Sequence, residues 1–142
     1  MNRYETLVTR WRDGEAELAP ITGLLGIRPV SLGDGEAVVE MDAGERVHNA
    51  MGTVHGGVLL DLADVAMGVA MATRLEAGEG FATLQSSVTY LRAVREGRLT
   101  ATARIVHRGR TAGHLECVVR DGDERPVARV TSTCLIRTPP EH

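Results

Sequence analysis

At 142 residues, with 43% apolar residues, a net charge of −3 and a pI near 5.9, the chain has the size and composition of one globular domain. Mild acidity and only four aromatic residues (Tyr4, Trp11, Phe81, Tyr90) leave neither a basic patch nor a stacking platform, which argues against nucleic acid as a partner. Cys117 and Cys134 form no disulfide framework and no metal-type spacing; no membrane span and no apolar signal segment are expected, which fits a cytoplasmic enzyme or binding protein.

In chain order, Tyr4, Leu7, Val8 and Trp11 follow the spacing of an amphipathic helix that Gly14 ends. Pro20 and Gly23 then predict an irregular stretch. A first short strand is expected within residues 21–32, confined to a sheet edge by Pro29. Gly33-Asp34-Gly35 reads as a hairpin turn, and Ala37, Val39 and Met41 as the inward side of the following half-exposed strand. Residues 43–55 form a loop. A long helix follows to about Glu76, apolar on nearly every side and broken by Gly78 and Gly80. The remaining β-type runs are separated by turns at Arg95-Glu96-Gly97, Gly109-Arg110-Thr111 and Gly122-Asp123, and a flexible tail closes the chain.

This order predicts an α+β fold, one antiparallel sheet curled around a central helix. Such a helix has no polar face to spare, yet it carries Asp61 and Asp64, and an ionised carboxylate in a core is costly unless paired or used. Burial raises a carboxyl pKa and makes Asp64 a stronger base or nucleophile. Asp61, three positions earlier, is either an alternative functional residue or a solvated neighbour. The His55-Gly56-Gly57 start leaves backbone N–H groups bare at the positive end of the helix dipole. Bare donors beside a carboxylate are the ingredients of acyl transfer. His48 and His55 do not stand at metal-ligand spacing with these aspartates, and Ser86, Ser87 and Thr89 lack a positioned histidine, so neither a metal site nor a serine nucleophile is expected.

Gly56 and Asp64 are eight residues apart, about 12 Å along one helix axis. Two groups acting on one carbonyl must lie within a few ångströms of it. Both roles together therefore predict two chains with antiparallel helices, Gly56 of one beside Asp64 of the other, and at least a homodimer.

The segment Asn49-Ala50-Met51-Gly52-Thr53-Val54-His55-Gly56-Gly57, with Asp64 seven residues on, resembles the hotdog-fold acyl-CoA thioesterases of the phenylacetate-degradation type. The resemblance extends over about residues 30–137. One hotdog domain over 1–142 is expected, with 1–25 an N-terminal helix and linker outside the match and 138–142 a flexible tail. The resemblance implies a homodimer or a dimer of dimers that cleaves acyl-CoA to a carboxylic acid and free coenzyme A without a metal or redox cofactor. Carried onto this sequence, Asp64 is the catalytic carboxylate, attacking directly or activating water. The Gly56 N–H polarises the thioester carbonyl, and Asn49 helps hold the thioester or the water. Thr83 is the hydroxyl residue that orients the water, and His55 fixes the loop. Arg108 and Arg110, at a turn, are expected to meet the phosphates of coenzyme A. Val58, Leu59, Leu62, Val65 and Met67 are candidates for an acyl tunnel, although the same stripe serves equally as plain core. The alternative is a non-catalytic binder of acyl-CoA or fatty acid on the same fold, which gives no reason for the carboxylate.

Overall fold

The structure is a computed structural model that describes residues 3–138. Helix α1 (Arg3–Arg12) is followed by α2 (Pro20–Leu25), β1 (Arg28–Gly33) and β2 (Glu36–Ala43), then by α3 (Gly56–Ala72). Strands β3 (Gly80–Tyr90), β4 (Gly97–Arg108), β5 (Ala112–Arg120) and β6 (Pro126–Arg137) complete the chain. All neighbouring strands pair antiparallel, in the order β1-β2-β4-β5-β6-β3. The expected flexible tail lies, from residue 139 on, outside the described residues.

The period-two pattern of β2 buries Ala37, Val39 and Met41, as the alternation predicts. Leu99, Ala101 and Ala103 of β4 and Leu115, Cys117 and Val119 of β5 face the same way. Helix α3 lies across this surface, seating Leu59, Leu62, Ala63, Ala66, Met67 and Ala70 against β2, β4 and β5. The small residues Ala101 and Ala103 on the central strand let the helix axis approach closely, and full burial of the aliphatic side chains contributes roughly 1.5–3 kcal/mol each. Pro29 sits on edge strand β1, where its missing N–H breaks no interior ladder.

Three expectations are corrected. Residues 20–25 are helical: Pro20 occupies the first helical turn, where its fixed φ suits the helix, and Gly26 ends it in the left-handed region at φ 69°. Helix α3 stops at Ala72, short of Glu76, because the Thr73 hydroxyl donates to the Ala70 carbonyl and accepts the Gly35 N–H, each at 2.8 Å. The third correction bears on the site. The sheet does not enclose α3 on every side, and Asp61 and Asp64 are exposed on the single chain. Helix α3 lies mainly against β2, β4 and β5, while β3, beyond β6 at the sheet edge, makes little contact with it. A stripe at helical spacing, Val58, Asp61, Asp64, Val65 and Gly68, is left uncovered or only partly covered.

Candidate active site

The loop before α3 is held by its own side chains. The Asn49 carbonyl oxygen accepts the N–H groups of Met51 and Thr53 at 2.9 and 3.2 Å, and its amide donates to the Thr53 hydroxyl at 2.9 Å. His48 is bound through its ring to the Arg95 carbonyl, and the Val54 N–H donates to the Val94 carbonyl. His55 caps the helix. Its Nδ1 accepts the Gly57 N–H at 2.9 Å, its carbonyl accepts the Val58 N–H, and its own N–H donates to the Val47 carbonyl. Of the four N–H groups that a helix start leaves without an intrahelical partner, three are thereby satisfied. Among the described residues, the Gly56 N–H alone of the four has none. The sequence reading of several bare donors thus narrows to one, aimed out of the positive end of α3.

Glycine at position 56 permits a close approach. A Cβ there would lie 2.8 Å from Cζ and Oη of Tyr90, so the phenol rests directly on the bare backbone. Tyr90 went unremarked as a site residue, because only the strand pairing brings the end of β3 to the start of α3.

Two turns along α3, Asp64 occupies a different environment. Although its side chain reaches solvent, the surrounding protein partly desolvates Asp64 and raises its carboxyl pKa above the usual carboxylate range, and the charge of Asp61 raises it further. Asp61 is raised as well, by burial, with His55 acting in the opposite direction. The Asp64 charge also lifts the ionisations of Tyr4 and Cys134, which places both near the carboxylate. Thr83 pairs with Cys134 across β3 and β6, its Oγ1 3.8 Å from Sγ. The register then slips between Thr83 and Gln85, a bulge that locally bends the edge strand. Tyr4 and Cys134 therefore lie within reach of the Asp64 charge at the open side of α3, with Thr83 beside Cys134. Of these, Tyr4 was read only as part of a helix face.

Asn49, His55 and Gly56 form a second group at the start of α3, about 12 Å along the axis from Asp64. Within one chain these two groups do not meet. Arg108 and Arg110 stand apart from both groups, on the β4–β5 hairpin. Arg108 is ion-paired with Glu79, while Arg110 is exposed in the turn. Among the described residues no cluster of His, Cys, Asp and Glu has metal-holding geometry, and no helix is long and apolar enough to cross a membrane.

Known proteins resemble this chain in sequence and fold. The sequence model of the Thioesterase superfamily matches residues 51–128, from the end of the loop through α3 and most of the strands that follow. The chain is 34% identical over 101 residues to 1,4-dihydroxy-2-naphthoyl-CoA hydrolase of Listeria monocytogenes, covering 71% of this chain and 82% of that one. It is 34% identical over 107 residues to the acyl-coenzyme A thioesterase PaaI of Escherichia coli, covering 73% of each. A crystal structure of a phenylacetic acid degradation-related protein from Ralstonia eutropha superposes with a TM-score of 0.82 at 28% identity, covering 91% of this chain and 98% of that one. With its helix laid in an antiparallel sheet and its Gly-Gly helix start preceding an acid, the chain belongs to the Thioesterase superfamily and is a hotdog-fold thioester hydrolase.

Proposed function

We propose that the protein hydrolyses acyl-CoA at sites shared between two antiparallel copies of the chain. The observation that carries this reading is the one unpartnered first-turn N–H, at Gly56, on the same helix as a base two turns away. One substrate reaches both only if they come from different chains. The edge that a second copy would cover is ready for it. Strand β3 is eleven residues long, exposed from Thr83 to Ser87, and carries Leu84 at 62% and Tyr90 at 51% exposure. A long exposed edge of this kind is a template for strand pairing unless something covers it. A partner strand there would also close over the uncovered stripe of α3.

In such a site the thioester carbonyl oxygen accepts the Gly56 N–H, which stabilises the negative charge that develops in the tetrahedral intermediate. A water held by Asp64 and Thr83 of the other chain attacks the carbonyl carbon. Asp64 takes the proton as the carbon–oxygen bond forms. When the intermediate collapses the carbon–sulfur bond breaks, and the proton passes to the departing sulfur. The products are a carboxylic acid and free coenzyme A. A raised pKa favours this base role, because proton transfer is most effective from a group whose pKa approaches the working pH. Asn49 retains one amide hydrogen for the thioester or the water, and His55 acts through the loop it caps. Arg110 meets the coenzyme phosphates, with Arg108 behind it steadied by Glu79. The buried, unpaired thiols of Cys117 and Cys134 accord with a cytoplasmic location.

A panel of acyl-CoA thioesters assayed for free thiol tests the reading. Hydrolysis of at least one member is expected, and saturable binding without thiol release would overturn it. The pH dependence adds a sharper check. Only ionised Asp64 serves as base, so kcat falls as pH drops through its pKa, and the midpoint is expected above the ordinary value of about 3.9. In Asp61→Asn that midpoint moves to lower pH, because the neighbouring charge that raises it is gone. A limb unmoved by Asp61→Asn would show that Asp64 does not govern it.

A further inference from the structure

Tyr4 comes from α1, outside the residues matched by the superfamily model, yet it lies within reach of the Asp64 charge. Its ring packs edge-on against Phe81, with centroids 5.3 Å apart and planes at 78°. That contact fixes where the hydroxyl points. Oη lies 3.3 Å from the position a Cβ on Gly68 would take, and Phe81 Cζ lies 3.5 Å from it. Gly68 follows Asp64 by one helical turn, and Cβ positions at that spacing stand about 5–6 Å apart. Helical side chains lean toward the N-terminus, so the space vacated at position 68 is the space that borders residue 64. The Tyr4 hydroxyl stands there in place of a side chain.

Among the described residues the Tyr4 hydroxyl has no hydrogen-bond partner, an unusual state for a half-buried phenol. It makes no direct bond to Asp64 either, although the Asp64 charge reaches it. We infer that Tyr4 is a catalytic residue of this chain, its hydroxyl holding the hydrolytic water against Asp64. The inference rests on the thioesterase mechanism proposed above.

The coordination of that water is then complete. One hydrogen goes to Asp64 and the other to the Tyr4 oxygen. The Thr83 hydroxyl donates to one lone pair, and the remaining lone pair faces the thioester carbon. Tyr4 transfers no proton. Burial and the Asp64 charge push its pKa to about 12, so it stays a neutral phenol throughout the working range. A glycine at 68 is what admits the hydroxyl, and a side chain there would displace it.

The test is Tyr4→Phe in the full chain, which keeps the ring against Phe81 and removes only the oxygen. The expected result is a kcat lower by about 10- to 100-fold, the loss typical of a misplaced reactant. KM stays within about twofold and the melting temperature is unchanged. The acid limb of kcat moves to higher pH, because loss of the hydroxyl leaves ionised Asp64 in more apolar surroundings, and loss of ring packing alone does not cause that movement. A Tyr4→Phe kcat within about twofold of wild type overturns the inference. If Asp64→Asn is inactive in the same assay, only the role of Tyr4 falls. If Asp64→Asn is also fully active, the underlying mechanism falls with it.

Discussion

Asp64→Asn lowers kcat by about 100- to 10,000-fold, the range spanned by a positioned general base. The substitution keeps shape and removes only the capacity to take a proton. It is also expected to raise stability near neutral pH. The folded-state pKa of Asp64 lies above its ordinary value, so the folded protein holds this proton more tightly than the unfolded chain does. The contribution is fully present below the ordinary carboxylate value and is lost as pH rises through the raised pKa. At neutral pH the wild type carries the strained ionised form, and Asn removes it. Thermal melts across pH should therefore show a gentler decline for Asp64→Asn over that window. A variant that is inactive because it is unfolded would show the opposite, and wild-type turnover would remove Asp64 from the mechanism.

Gly56→Pro removes the other half of the chemistry. His55 already has the extended backbone, φ −60° and ψ 133°, that a residue preceding proline prefers. Position 56 is the first of the helix, where proline is tolerated. The helix should therefore form, and the lost N–H should lower kcat by about 100- to 1,000-fold, as for one oxyanion donor. Proline also brings a Cβ, which must displace the Tyr90 ring. Gly56→Ala supplies the control, since it adds the Cβ and keeps the N–H. The account requires Gly56→Ala to retain most of the kcat that Gly56→Pro loses. Equal losses in the two would assign the effect to Tyr90 and leave the N–H without a role.

What was legible in the sequence is what is local. The alternation of Ala37, Val39 and Met41 fixes the inward side of β2, the Gly33-Asp34-Gly35 turn fixes its hairpin, and Pro29 marks the edge strand. The residues from Asn49 to Asp64 named the superfamily. Pro20 was misread because proline both breaks a helix and begins one, and only the Gly26 cap downstream decides which. Other features depend on residues far apart in the chain. Thr73 stops α3 through the Gly35 N–H, 38 residues away, and Arg108 is paired by Glu79 from before β3. The exposure of Asp61 and Asp64 follows from the place of β3 at the far edge of the sheet, where it covers little of α3, which composition does not reveal. Tyr4 and Tyr90 escaped for a related reason. Each is brought to α3 by packing, so its own segment carries no sign of the chemistry.

Subunit mixing tests the shared site most directly. Asp64→Asn chains and Gly56→Pro chains are each expected to be nearly inactive alone. In a heterodimer, however, one of the two sites pairs an intact Gly56 with an intact Asp64. Mixed, unfolded together and refolded, with heterodimers verified by differently tagged chains, they should recover about a quarter of wild-type activity. That figure follows from half the dimers being mixed and each holding one good site. Verified heterodimers with no activity above the separate variants would contradict the account, and the donor and the base would then have to act within one chain.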